Sequence, residues 1–227
     1  MPDQLHFPFL RFRIGRFLFL LIFIVLMFIL RPFLESFIGI KLLMDIFFSF
    51  ILISGAYAVS HKRATFIVGL ILVIPALATT WSNLFADTPF SVKVGGQILE
   101  GLFFAYTSIV IVYYLFREKK VTFEVISGAI CGYLLIGLTW AFVYSVLESF
   151  NAGSFQLPEG QGTTISHFAY YSFVTLTTLG YGDITPLSGP ARSLALLEAI
   201  TGQLYIAIMI AGLVGVYISQ SIEKELE

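Results

Sequence analysis

The sequence is poor in charged residues and in cysteine. Only 12% of its 227 residues are charged and 58% are hydrophobic, whereas an ordinary soluble domain has about 25% charged residues. This balance, with a mean hydropathy of +0.91, argues against a soluble domain and predicts a membrane protein. A single cysteine, Cys131, excludes an intrachain disulfide and is expected to be a small packing residue. The net charge of −1 gives no indication of a nucleic-acid partner.

Motifs typical of enzymes and of processed secretory chains are also missing. His6, His61 and His167 are scattered, and no nucleophile–base pair or metal-ligand cluster is visible. We therefore do not expect an enzyme. The apolar stretch near the N-terminus ends in Arg31-Pro32 without a small-residue cleavage pattern, which favours a retained first helix over a secretory signal.

Long apolar runs are what the sequence contains instead. A membrane-spanning helix needs about 20 mainly apolar residues. Allowing for fraying, such helices are predicted at 14–34, 40–59, 64–81, 95–116, 123–147 and 191–220. A weakly apolar segment, 165–178, is too short to cross. The chain is thus predicted to be an all-α membrane protein with six transmembrane helices per subunit.

The placement of lysine and arginine predicts the direction of these helices. If both termini are cytoplasmic, nine of the thirteen basic residues lie on the inner side and four on the outer side, as the positive-inside rule requires. Six crossings also place both termini on the same side. Segment 148–190 is then extracellular, or re-entrant from outside.

This re-entrant segment contains Thr178-Leu179-Gly180-Tyr181-Gly182-Asp183. Glycine lacks a Cβ and can adopt positive φ, so alternating it with ordinary residues lets successive carbonyls point the same way. Four copies around an axis would give stacked rings of oxygens that replace the hydration shell of an ion, as in known potassium filters. An isolated Gly-Tyr-Gly is usually an ordinary turn. Here a short preceding helix and a spanning helix on each side favour the filter.

The motif resembles the pore-loop potassium channel superfamily, whose signature is Thr-Val/Ile-Gly-Tyr-Gly, with Leu179 at the variable position. The resemblance is specific over 121–219, and over the first four helices only the six-helix layout agrees. It implies a homotetramer of prokaryotic type in the plasma (inner) membrane, with lipid and K⁺ as partners and no cofactor beyond K⁺. By this resemblance, the ion sites are formed by the carbonyls of Thr178, Leu179, Gly180 and Tyr181 and the Thr178 hydroxyl, with Gly182 completing the filter.

The resemblance also divides the chain into three parts. Residues 1–120 would form a four-helix bundle in the voltage-sensor position, 121–220 the pore domain, and 221–227 a short cytoplasmic tail. Steep voltage gating needs several charges per subunit, each worth about 2.3 kcal/mol per 100 mV. The fourth helix, 95–116, has no arginine or lysine, so we expect voltage insensitivity. The short link at 117–122 favours each bundle packing beside its own pore segment.

A pore helix is expected at 165–177, and several residues are expected to support the filter. Tyr170 and Tyr171 occupy positions where many family members have paired tryptophans, and their hydroxyls would bond Asp183 and Tyr181. Both could instead be interfacial aromatics. Glu198, an acid within a spanning helix, is costly unless paired or functional. We expect it behind the filter near Thr175 and Thr177, in a structural hydrogen-bonding role.

The last helix contains candidate gating and cavity residues. By resemblance, Gly202 is the hinge, and Gly212 and Gly215 are alternative bending points. Packing through small residues is the other interpretation. Gln203, Ile206 and Ile210 would line the cavity below the filter.

Acidic residues near the outer surface are a further feature. Glu148, Glu159 and Asp183 would concentrate cations at the outer mouth, although Glu159 is more simply part of a solvated loop. Glu35, Lys41 and Asp45 are expected to form an outer ion-pair group.

Taken together, these features favour a passive, potassium-selective, voltage-insensitive channel. A non-selective cation channel and a sensory or structural membrane subunit are the alternatives.

Overall fold

The computed structural model describes residues 15–34, 40–60, 62–85, 88–157 and 164–226. In these residues it contains α1 (Arg16–Leu34), α2 (Ile40–Ala58), α3 (Arg63–Phe85), α4 (Phe90–Leu115), α5 (Phe123–Phe150), β1 (Phe155–Gln156), α6 (Ile165–Leu176), β2 (Thr185–Pro186) and α7 (Gly189–Leu226). Each helix overlaps the one predicted from hydropathy. Glu35 and Glu159 lie outside the described residues, as does the side chain of Lys41.

Local sequence signals account for the first residues of α5 and α7. Thr122 precedes α5, and its side chain accepts a hydrogen bond from the Val125 amide, which caps the helix N-terminus. Ser188 precedes α7 in the same way and accepts from the Ala191 amide at 3.2 Å. Pro190 stands in the first turn of α7, where its missing amide proton costs no hydrogen bond.

Four helices in the described residues are long and apolar enough to cross a membrane. The crossing segments are Arg63–Ser82, Phe90–Leu115, Phe123–Phe150 and Gly189–Gln220. The first two helices contain shorter apolar segments, Arg16–Leu30 and Leu42–Ala58. The protein is therefore an all-helical membrane protein with four candidate spans, and six crossings remain a prediction.

The first four helices pack against α5 of the same chain through a shared apolar core. Phe17 of α1, Ile51 of α2, Phe103 of α4 and Leu135 of α5 are buried together in it. The Ser108 hydroxyl adds a hydrogen bond of 3.2 Å from α4 to the Gly132 carbonyl of α5. The bundle thus lies beside its own pore segment.

A second apolar core lies near the C-terminal end of α5 and positions the segment after α6. It contains Tyr144, Phe155, Phe168, Tyr171 and Ile184. Above it, β1 and β2 pair antiparallel. This pairing joins the chain that follows α5 to the chain that precedes α7, so both ends of the 164–188 region are fixed.

Candidate ion-conduction site

Helix α6 ends directly at the filter segment, and its last turn holds that segment in place. The Thr178 amide donates to the Thr175 carbonyl and the Leu179 amide to the Val174 carbonyl, both at 2.9 Å. The Gly180 amide lies 3.3 Å from the same Val174 carbonyl. The backbone of the filter therefore starts from the C-terminus of α6, the end of a helix that carries roughly half a negative charge.

The filter backbone alternates between two conformations. Thr178, Gly180 and Gly182 have φ of 59°, 60° and 78°, which is the left-handed region that favours glycine. Leu179 and Tyr181 between them do not have positive φ. Alternation of left- and right-handed residues turns successive carbonyls toward one side of the strand, which is the arrangement needed for a row of cation ligands.

The 178–182 segment is open to its surroundings within a single chain. Leu179 and Tyr181 are 55% and 66% exposed, and Thr178, Gly180 and Gly182 are also exposed. One chain alone therefore leaves this backbone uncovered and does not enclose an ion site.

Tyr170 braces the end of the filter from α6. Its hydroxyl donates to Asp183 Oδ2 at 2.7 Å, and Asp183 Oδ1 accepts from the Ile184 amide at 3.0 Å. The hydrogen bond to Asp183, with a smaller contribution from desolvation, raises the pKa of Tyr170 to about 12. The phenol therefore remains protonated, and remains a donor, throughout the physiological pH range.

Tyr170→Phe is expected to leave potassium selectivity intact and to accelerate the loss of conductance when potassium is lowered. The substitution removes the hydroxyl that holds Asp183 but keeps the ring, so the filter loses a brace and no ion ligand. Single-channel recording at stepped potassium concentrations would measure the decay. Tyr113→Phe, on α4 far from the filter, is the matched control, and equal decay in both variants would contradict the brace.

Tyr171 packs into the second apolar core of its own chain, and the hydrogen bond to Tyr181 that the sequence predicts stays a prediction. Its ring is buried against Tyr144 and Phe155, with ring centroids 5.1 and 5.3 Å apart. The hydroxyl interacts with the Thr175 side chain, and within the described residues it makes no hydrogen bond to Tyr181. The two tyrosines diverge because consecutive helical residues point about 100° apart.

Glu198 lies fully buried behind the filter, at the meeting point of three helices. The Tyr144 hydroxyl of α5 donates to Glu198 Oε2 at 2.5 Å, and Ser172 of α6 is hydrogen-bonded to Glu198 Oε1. These partners differ from Thr175 and Thr177, the neighbours expected from sequence. The Thr177 hydroxyl instead donates to the Phe173 carbonyl at 2.6 Å.

Ser172 connects Glu198 to a third helix. The Ser172 hydroxyl lies 2.7 Å from the Gly137 carbonyl of α5 and is also within hydrogen-bonding distance of Glu198 Oε1. A serine hydroxyl has one proton to donate, so it serves one of these two acceptors at a time. These contacts join α7, α6 and α5.

Glu198→Gln is therefore expected to retain channel stability, and Glu198→Leu to lose it. A glutamine amide can donate to Ser172 while its carbonyl accepts from Tyr144, whereas leucine leaves the Tyr144 hydroxyl without its acceptor and Ser172 with the Gly137 carbonyl alone. A buried unpaired group costs about 1–3 kcal/mol. Thermal unfolding of the purified protein would separate the two variants, and equal destabilisation by glutamine and leucine would refute the hydrogen-bonding role of Glu198.

Glu148 is another acid whose surroundings differ from the sequence expectation. Its carboxylate is buried, and it accepts from the Gly153 amide at 2.8 Å and from the Phe155 amide at 3.2 Å. It closes the turn after α5 and is not solvated in the single chain. Sequence reasoning missed this role, although the acid near a helix end followed by Asn-Ala-Gly was a usable signal for a turn.

Gly202 allows the closest contact between α7 and α6. A Cβ at this position would lie 2.3 Å from the Leu176 carbonyl oxygen, the last carbonyl of α6. Gly212 has its nearest such neighbour at 3.8 Å, and Gly215 has none within 4 Å. Helix α7 continues without interruption through all three. The contact at Gly202 corresponds to packing through a small residue.

The residues expected to line a cavity lie on the uncovered surface of α7. Gln203, Ile206 and Ile210 are all exposed within the single chain. Of the residues in the most apolar 18-residue segment of α7, only 11% are buried, whereas 50% are buried in the corresponding segment of α5. A surface this apolar requires cover from lipid or from other protein chains.

Comparison with known proteins agrees with the placement of this site. Residues 128–219, from α5 to α7, match a family model described as ion channel. These findings support an integral membrane protein in which residues 128–219 are similar to ion-channel domains.

A segment of 82 residues is 32% identical to two pore potassium channel c of Oryza sativa subsp. japonica. This segment covers 36% of the present chain and 16% of the rice protein, so the chain spans less than a fifth of that relative. No solved structure is significantly similar to the chain.

Proposed function

We propose that the chain is one subunit of a homotetrameric, potassium-selective channel. The observation that carries this proposal is the alternation of positive φ at Thr178, Gly180 and Gly182. The ion-channel match over 128–219 and the potassium-channel name of the rice relative support it. In the tetramer, four strips of carbonyl oxygens from Thr178 to Tyr181 form rings that replace the hydration shell of K⁺.

Each subunit would contribute a filter and an inner helix to the pore. The C-terminus of α6 directs its partial negative charge toward the cavity below the filter and favours a dehydrated cation there. Gln203, Ile206 and Ile210 would face that cavity. Both termini would lie in the cytoplasm, according to the distribution of basic residues, and the family resemblance favours a prokaryotic plasma membrane.

Purified protein is expected to form a homotetramer, because a single chain leaves the filter and most of α7 uncovered. Native mass spectrometry of the complex in detergent would measure its stoichiometry. A stable monomer or dimer would remove the basis of the proposed pore.

The channel is also proposed to be insensitive to voltage. Helix α4 starts earlier than expected, at Phe90, and so includes Lys93 near its outer end. It has no other lysine and no arginine, and its acid is Glu100. One terminal charge is too little for steep gating, so bilayer recordings should give shallow voltage dependence.

Potassium flux into proteoliposomes is the direct test of function. We expect uptake driven by a potassium gradient and little uptake under a matched sodium gradient. Equal uptake of both ions would favour a non-selective cation channel, and uptake of neither would favour a sensory or structural subunit.

A further inference from the structure

A cavity of about 380 Å³ lies between the first four helices and α6, away from the filter. Its wall is mainly apolar and aromatic, with Phe28, Phe48 and Phe142 from three different helices. Ser166 and Ala169 of α6 close one side. The volume and the apolar lining with a few polar groups are those of pockets that bind small molecules, which measure about 300–1,000 Å³.

The main polar group in this wall is Glu100, which is 9% exposed. Its Oε1 atom lies 2.8 Å from the Thr80 hydroxyl, but that hydroxyl also lies 2.9 Å from the Ala76 carbonyl. A single hydroxyl proton serves one of these acceptors at a time. Glu100 therefore has at most one donor, and its Oε2 has none within the described residues.

Gln97 adds a second acceptor one helical turn away on α4. Its side-chain oxygen is buried and has no hydrogen-bond partner in the part of the chain that the structure describes. Gln97 and Glu100 are three residues apart and line the same cavity, as expected for neighbours on one helix face. The Gln97 side-chain oxygen and Glu100 Oε2, two acceptors that lack donors, thus belong to the same cavity wall.

The contact of the Glu100 carboxyl group within the described residues is with Thr80 and not with a basic side chain. An ionisable side chain inside a membrane span is expensive and is normally paired or functional. Lys93 also lines the cavity, but among the described residues no ion pair joins it to Glu100. Asp45, the other acid in the wall, lies close enough to interact electrostatically with Glu100 and has contacts of its own.

We propose that this cavity binds a small organic ammonium ligand. The ammonium group donates to Glu100 Oε2 and to the Gln97 side-chain oxygen, which supplies the missing donors. The apolar body of the ligand packs against Phe48 and Phe142, whose rings also favour a nearby cation. This inference goes beyond the proposed function and does not depend on ion conduction.

The test is the binding of 2-phenylethylamine to the full-length protein in lipid nanodiscs, measured by calorimetry. The neutral isostere 2-phenylethanol serves as the comparison ligand. We expect saturable binding of the amine, about tenfold tighter than the alcohol. Glu100→Gln should weaken amine binding by about tenfold and leave alcohol binding unchanged. Glu118→Gln, at an acid that follows the C-terminal end of α4 and does not line the cavity, is the control and should have no effect.

A second variant keeps the proposal testable if Glu100→Gln does not fold. Gln97→Glu adds a carboxylate at the same place and should tighten amine binding severalfold without affecting the alcohol. Equal affinities for the two ligands, amine binding unaffected by either variant, or no saturable binding would each overturn the proposal. Because binding is measured without ion flux, its failure is distinguishable from failure of the channel function.

Discussion

Gly180→Ala is expected to abolish selective potassium flux. Gly180 has φ of 60°, and an L-residue in the left-handed region costs roughly 1–2 kcal/mol. In the proposed tetramer, four subunits would raise this cost to roughly 4–8 kcal/mol. The alanine has no neighbour within 4 Å that would hold it in this conformation. The strand is therefore expected to relax, so that the Gly180 carbonyl leaves the row of ion ligands.

Potassium and sodium uptake into proteoliposomes would measure this effect. Gly189→Ala is the matched control, because Gly189 stands at the start of α7 with open space around it and without positive φ. Size-exclusion chromatography would show whether both variants assemble. A Gly180→Ala channel with normal flux and normal selectivity would mean that the alternating backbone is not the conduction path.

The helices and the filter could be predicted from sequence because their signals are local. Apolar runs placed each of the seven helices in the described residues. The glycine pattern at 178–183 indicated alternating backbone conformation without any knowledge of distant contacts. Resemblance to a known family added the role of this segment, and the ion-channel match over 128–219 agrees with it.

The partners of Glu198 could not be predicted, because they depend on how far α7 is shifted along α6. No periodic pattern in either helix specifies that shift. It is fixed by the close contact of Gly202 with the end of α6, which brings Glu198 level with Ser172 rather than with Thr175 or Thr177. The same reasoning explains Glu148, because only the folded turn after α5 brings two amides to its carboxylate.

The cavity beside Glu100 was likewise beyond sequence reasoning. The sequence showed an acid in an apolar helix, but not the space around it. That space arises where the side chains of α1 to α6 do not fill the volume between these helices. Packing of this kind is a property of the assembled bundle.

Gly202→Ala is expected to destabilise the protein and to reduce potassium flux, although Gly202 binds no ion. The new Cβ would lie 2.3 Å from the Leu176 carbonyl oxygen and 2.9 Å from the Leu176 side chain. Leu176 is fully buried, and its carbonyl also accepts from the Tyr133 hydroxyl at 3.3 Å. Helices α6 and α7 cannot move apart without displacing the segment that follows Leu176. Overpacking of this kind costs about 1–3 kcal/mol in each subunit.

Thermal unfolding and proteoliposome flux, measured on the same preparation, would distinguish packing from hinge motion at this position. Gly189→Ala, on the same helix with nothing within 4 Å, is the control and should match the unmodified protein in both measurements. Packing predicts that Gly202→Ala lowers stability and flux together. A hinge predicts reduced flux with unchanged stability, because alanine stiffens a helix without opposing its packing. That second outcome would overturn the packing interpretation and restore the role that the family resemblance implies for Gly202.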